Sequence, residues 1–222
     1  MRAKIHTLPR AAAAGTLSDR VAAHLRRGII DGSIPPGARL PETAVGRQLG
    51  ISRVPVREAL FALQREGLVE FSDSGRAFVR ELTADDFAEL YALRLTLEPR
   101  AARAASARMT PQARARLEAI IAATARAGSL AELTGLDLDF HEAVVGIAGN
   151  RRLLRVWRSL RGELEAWLGR MHRQRSDRHH DAISATVAGH RELLASLQGG
   201  AGAECERLFR RHIRGWRDWL PH

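Results

Sequence analysis

The sequence predicts a mainly α fold in two parts: an N-terminal winged helix-turn-helix with a small β wing, followed by an all-α helical bundle. Three observations predict it. Two helical patterns meet at Gly50 within the stretch Glu42 to Leu68, and two strand-like runs, Val69 to Phe71 and Ala77 to Val79, flank the turn Ser72-Asp73-Ser74-Gly75. From Thr83 to Trp219 alanine, leucine, arginine and glutamate dominate, and apolar residues recur at three and four with no strand signal.

Each element follows from local chemistry. Glu42 to Leu49 sets Val45 and Leu49 four apart on one helical face, and Gly50 supplies the tight turn that ends it. Ser52 can cap the next helix, Pro55 is tolerated in its first turn, and Val56, Leu60, Leu63 and Leu68 carry the apolar register onward. Gly67 then stops the helix. Arg53 and Arg57 stand one turn apart at its amino end, on the face away from those apolar residues. That is where a major-groove reader carries base contacts, and arginine makes the best bidentate contact with guanine. Arg76, just past the turn, belongs to a wing able to touch phosphate or the minor groove. The expected partner is double-stranded DNA.

Bulk properties agree. A chain of 222 residues can fill two modest cores, and the motif uses the first third. The net charge is +10, with 13 basic against 7 acidic side chains up to Arg80 and 22 against 18 beyond it, so charge is denser where DNA would bind. Arginine supplies 34 of the 35 basic residues. The single cysteine, Cys205, excludes an intramolecular disulfide framework and fits a reducing cytoplasm, and no apolar run approaches the length of a membrane span. The expected domains are a loose basic arm over residues 1–15, a DNA-binding domain over 16–80 and a helical domain over 83–222.

In the helical domain, Thr83 with Asp85 and Asp86 starts a long helix through Phe87, Leu90, Leu97 and Ala101, which the Glu98-Pro99 step should kink or make irregular. Breaks at Thr110-Pro111, Gly128-Ser129, Gly149-Asn150, the polar run Arg173 to Arg178 and Gly199-Gly200 give about six helices. Asp137 and His141, four apart, lie one above the other on a single face. His190 and His212 fall at equal distances either side of the glycine turn and would reach the same height on an antiparallel pair. Singly, each histidine reads as a surface or satisfied core residue; meeting in a bundle interior, the set would make a three-histidine, one-carboxylate site for a divalent transition metal, zinc first with nickel or manganese suited to the same ligands, a reading that rests in part on the resemblance given below. Asp139 is a weaker rival, turned away from His141, and the neighbours His179 and His180 diverge. Trp157, Trp167, Trp216 and Trp219 read as core or dimer packing. Arg94, among Leu90, Leu93 and Leu97, reads either as a solvated helix residue or as an inward-facing cation.

The run PPGARL, the helix end RQLGISR and the stretch PVREAL followed by LQREGLVE, in this order, resemble the winged domain of GntR-type bacterial regulators from Thr16 to Arg80. The resemblance implies that Ser52, Arg53 and Arg57 contact operator DNA and that Gly75 lets the wing approach the backbone. Thr43 stands where several relatives carry arginine. Asp-Leu-Asp-Phe-His, then Gly-His-Arg-Glu-Leu-Leu, then Arg-His-Ile resemble the helical effector domain called FCD, which follows the winged domain in the FadR-like branch. By that resemblance Asp137, His141, His190 and His212 hold the ion and Arg94 pairs with a small organic acid effector; Gly189 stands where a glutamate is usual. The implied protein is a cytoplasmic, metabolite-responsive transcription regulator, a homodimer on a near-palindrome, and a repressor by family habit. The rival reading is a metal-dependent hydrolase with an accessory nucleic-acid-binding domain. His141-Glu142 does begin like the HExxH motif, but the position of the second histidine holds Val145, and no nucleophile motif or phosphate-cradling loop appears. No enzymatic activity is expected.

Overall fold

A capping box opens the first helix of the computed structural model, which describes residues 15–177, 181–199 and 201–216. The Thr16 hydroxyl accepts from the Asp19 amide and the Asp19 carboxylate accepts from the Thr16 amide, so two amides with no helical partner are satisfied before α1 (Leu17–Ile30) begins. The basic arm up to residue 14, His179, His180 and Trp219 lie outside the described residues. The chain divides after Leu82 into two compact units.

In the first unit α2 (Glu42–Leu49) ends at Gly50, whose φ of 68° is the left-handed conformation that the turn into α3 (Arg53–Arg65) requires. Ser52 is the N-cap residue of α3, but its side chain makes no capping bond, against the sequence expectation. Pro55 removes one of the two usual donors: it occupies the third helical position and has no N–H to give the hydroxyl. Val21 and Leu25 of α1, Val56, Leu60 and Leu63 of α3, and Leu68 are buried together as the core. Strands β1 (Val69–Phe71) and β2 (Ala77–Val79) pair antiparallel with Glu70 opposite Phe78. The turn closes through Gly75, at φ 71°, whose amide donates to Ser72 O at 2.7 Å. A third extended run, unforeseen from sequence, lines β2: the Leu40 amide donates to Ala77 O and the Val79 amide to Ala38 O, both at 2.9 Å. The buried side chains of Ala38 and Leu40 fasten it there.

The second unit contains seven helices among the described residues: α4 (Ala84–Ser106), α5 (Pro111–Thr124), α6 (Leu130–Ile147), α7 (Arg151–Ser159), α8 (Arg161–Asp177), α9 (Ala182–Gln198) and α10 (Gly202–Arg214). Thr83 and Asp86 repeat the capping box at the start of α4. That helix runs unbroken past the buried Pro99. Six helices were expected because the α7–α8 break carries neither glycine nor proline. There the Leu160 amide bonds Trp157 O three residues back, tightening the last turn of α7. The run Arg173 to Asp177, expected as a loop, completes α8; the Arg175 guanidinium lies 5.9 Å from the centre of the Trp216 ring. Helix α6 packs against α4, α5 and α8, with Phe140 and Val144 buried among Leu117, Ile121, Leu197 and Phe209. Among the described residues no helix is long and apolar enough to cross a membrane.

Leu60 is fully buried in the first unit, so Leu60→Ala should cost that unit about 2–5 kcal/mol. In urea denaturation followed by circular dichroism, an early transition should split off from the unfolding of the helical unit.

Candidate functional site

Four histidines and two carboxylates collect inside the helical unit. Asp137 and His141 project from the buried face of α6, His190 from α9 and His212 from α10. One nitrogen each of His141, His190 and His212 lie within 4.8 Å of one another. Asp137 Oδ1 stands 2.9 Å from His190 Nε2 and 3.5 Å from His141 Nε2. The His190 ring is held flat against Phe140, with centres 4.0 Å apart, and its centre is 5.8 Å from that of His212. A Cβ added at Gly189 would come within 3.1 Å of His212 Cε1 and 3.2 Å of Nδ1, so the missing side chain is what lets the His212 ring lie this close to α9.

Arg94 faces inward. Only 1% exposed, it donates from Nε to Glu98 Oε1 at 2.8 Å and from Nη2 to Oε2 at 3.3 Å, with its guanidinium 5.8 Å from the Trp167 ring centre. The sequence reading missed Glu98, although an arginine and a glutamate four apart on a helix are a readable pair. Glu98 Oε1 also accepts from Trp157 Nε1 at 3.0 Å, and Oε2 lies 2.8 Å from His141 Nδ1. Trp157 and Trp167 are fully buried and Trp216 nearly so; Trp157 therefore combines packing with a polar role. His172 was missed as well. Its Nε2 lies 3.5 Å from Asp137 Oδ2 and its Nδ1 2.9 Å from Thr134 Oγ1, and nothing in the polar run around it announces this burial.

Electrostatics prepare these groups for a cation. Burial pushes the Asp137 carboxyl up, but the imidazoles of His141, His172 and His190 overcome it and hold the group well below the usual carboxylate range. Burial pushes His190 down, and it pushes His212 well down with help from the charges of His141 and His190; both therefore keep bare ring nitrogens near neutrality. For His141 burial and the Arg94 charge push down, but the Glu98 charge together with the contacts to Asp137 and Glu98 outweighs them and raises it. With Nδ1 beside Glu98, its Nε2 faces Asp137. His141 Nε2, His212 Nε2 and Asp137 Oδ2 are buried without a hydrogen-bond partner, and this donor set fits a divalent transition ion. Asp139 is excluded from it: its Oδ1 accepts from Arg161 Nη2 at 2.7 Å. Glu142, which with His141 begins like the HExxH motif, is likewise engaged, by Arg158 and Arg161.

In the first unit Ser52, Arg53, Arg57, Gly75 and Arg76 are all exposed. Arg53 and Gly75-Arg76 line one cleft of about 290 Å³, shared with Arg39, Glu42 and Thr43. Arg57 lies 5.6 Å over Phe61, which stacks on Phe71 of the wing at 5.1 Å.

Comparison with known proteins identifies the family. The family described as bacterial regulatory proteins, gntR family, matches residues 17–79, and the FCD domain family matches residues 89–215. The chain is 34% identical to the Nta operon transcriptional regulator of Aminobacter aminovorans over 73% of this chain and 82% of that one. It is 27% identical to the gluconate operon transcriptional repressor of Bacillus licheniformis over 81% and 74%. A solved GntR transcriptional regulator from Rhodococcus sp. RHA1 superposes with a TM-score of 0.70 at 26% identity, over 91% of this chain and 97% of that one. The relatives are regulators of transcription, not enzymes, and the chain belongs to the GntR family of bacterial DNA-binding transcription regulators, in the group that carries an FCD domain.

Proposed function

We propose that the chain is a cytoplasmic, metabolite-responsive repressor that binds operator DNA as a homodimer and whose helical unit takes a divalent metal and a small organic acid. The observation that carries this reading is the convergence of His141, His190 and His212 on one point beside Asp137, with the Arg94 guanidinium buried nearby. Zinc is the ion expected from three imidazoles and a carboxylate, with nickel and manganese compatible. When bound, the metal would supply a fixed positive charge to which a carboxylate is attracted. The chain's own residues do the rest. Phe140 fixes the His190 ring, Glu98 lies against Nδ1 of His141, and Arg94 keeps Nη1 without a partner, a donor available to an acidic ligand.

For DNA, Arg53 and Arg57 are assigned to base edges in the major groove and Arg76 to backbone phosphate. The idle Ser52 hydroxyl and the uncapped amides at the start of α3 suit a phosphate at the helix N-terminus, and Gly75 keeps the wing backbone bare. Ligand binding is assigned to one arrangement of the helical unit, whose first helix follows directly in the chain from the winged unit. The ligand shifts DNA affinity by its preference for that arrangement. Repression is supported by relatives named as repressors, and two-fold assembly by the symmetry that paired half-sites demand.

Four outcomes are expected. Replacing Arg53 and Arg57 together by alanine should abolish sequence-selective retention of duplexes in a mobility-shift assay, while selective retention at wild-type strength would remove the assignment. After loading with zinc and dialysis, His190→Ala with His212→Ala should lose stoichiometric metal in elemental analysis, and Gly189→Ala should weaken retention by about tenfold. Titrating the metal-loaded protein on a selected operator against a panel of organic acids should change DNA affinity for at least one of them; a flat response across the panel would count against the switch.

A further inference from the structure

The two arginines assigned to the groove are already engaged before DNA arrives. Glu42, the first residue of α2, accepts through Oε2 from Arg53 Nε, and its Oε1 lies 3.9 Å from Arg57 Nε. Its side chain is only 15% exposed, against 63% and 59% for the arginines, so one half-buried carboxylate stands behind two outward-facing cations. In both cases the contacted atom is Nε. With Nε engaged and the side chains largely exposed, the terminal nitrogens are the fork that can match N7 and O6 of guanine. The same carboxylate lines the cleft between the reading helix and the wing, where Arg39 and Arg76 supply further positive charge.

We infer that Glu42 is a specificity-determining residue: it holds Arg53 and Arg57 by their inner edges for guanine and discourages binding to phosphate alone. The inference rests on the DNA-reading assignment of that arginine pair and deepens it. The physical reason lies in what each kind of duplex offers. Random duplex offers the cleft mainly phosphate, which meets a carboxylate of like charge and competes with it for the same guanidinium groups. An operator guanine is neutral; it takes the outer fork while Glu42 keeps the inner edge, so nothing is displaced. Glu42 also lies in the first turn of α2, where an acid favours the helix. A variant must therefore separate charge at the groove from a contribution to folding.

The test uses the full-length chain. An operator is first selected by the wild type from a randomised duplex library, and affinities for it and for a scrambled duplex are then measured across a salt series. Glu42→Gln, which keeps the shape and one acceptor oxygen, should bind scrambled duplex roughly threefold to tenfold more tightly at low salt. Its salt dependence should steepen by about one phosphate equivalent, and its specific-to-nonspecific ratio should fall. Glu42→Asp keeps the charge but shortens the reach. It should leave scrambled-duplex affinity near wild type and weaken operator binding. An unchanged ratio in both variants, or an equal loss on both duplexes accompanied by a lowered melting temperature, would overturn the inference in favour of a purely structural Glu42. A wild-type chain that selected no sequence would instead bring down the DNA-reading assignment beneath it.

Discussion

A charge taken out of water must meet its opposite, and in the helical unit Glu98 answers that constraint. Arg94, Glu98 and Asp137 are each 1% exposed, and burying any of them alone would cost several kcal/mol. The two oxygens of Glu98 take both arginine contacts and the Trp157 indole, and one of them lies against His141. These partners belong to α4, α6 and α7, so one carboxylate cross-links three helices. The consequence reaches the histidine cluster. With Nδ1 of His141 beside Glu98, its Nε2 is turned to Asp137, and the ring has no reason to flip.

Magnitudes distinguish this pair from the one at the other end of the chain. The Arg94–Glu98 contact is dry, and breaking it leaves an uncompensated buried charge, so it is a fixed part of the architecture. The Arg53–Glu42 contact is wet on the arginine side, and exposed pairs are worth about 0–1 kcal/mol. A partner with better acceptors can take the outer atoms of Arg53 at little cost. The same two residue types thus make a dry strut in one unit and, in the other, a weaker contact on Nε alone whose arginine stays open to solvent, and burial makes the difference.

What the sequence disclosed was whatever depends on spacing along one element or across one turn. The borders of α2, α3 and both strands follow from Gly50, Gly67, Gly75 and the apolar register. The meeting of His190 with His212 follows from equal distances to the turn between α9 and α10. Hidden from it were contacts set by packing between distant elements. His172 is 38 residues from Thr134 and sits in a run indistinguishable from a solvated face. Ala38 to Leu40 is too short and too mixed to read as a strand until β2 is there to pair with it. The α7–α8 break falls at Leu160, an ordinary helix former, and the one glycine near it, Gly162, lies inside α8. The idle hydroxyl of Ser52 is a different case, because Pro55 was visible and its missing N–H already ruled out one usual capping bond.

Arg94 and Arg53 share a logic that a lysine could not provide. A guanidinium is planar and carries five donors in a fixed fork, so an internal carboxylate can occupy one edge and leave the other directed elsewhere. At Arg94, Glu98 takes Nε and Nη2 while Nη1 has no partner; at Arg53, Glu42 takes Nε. At Arg94 the buried partner removes most of the side chain's freedom, and at the exposed Arg53 it biases the side chain more weakly. An ammonium group, with donors that rotate about a single point, would be reoriented by whichever anion came nearest. A fork held by one edge presents a fixed pattern of donors, and a fixed pattern can tell paired acceptors from mere negative charge.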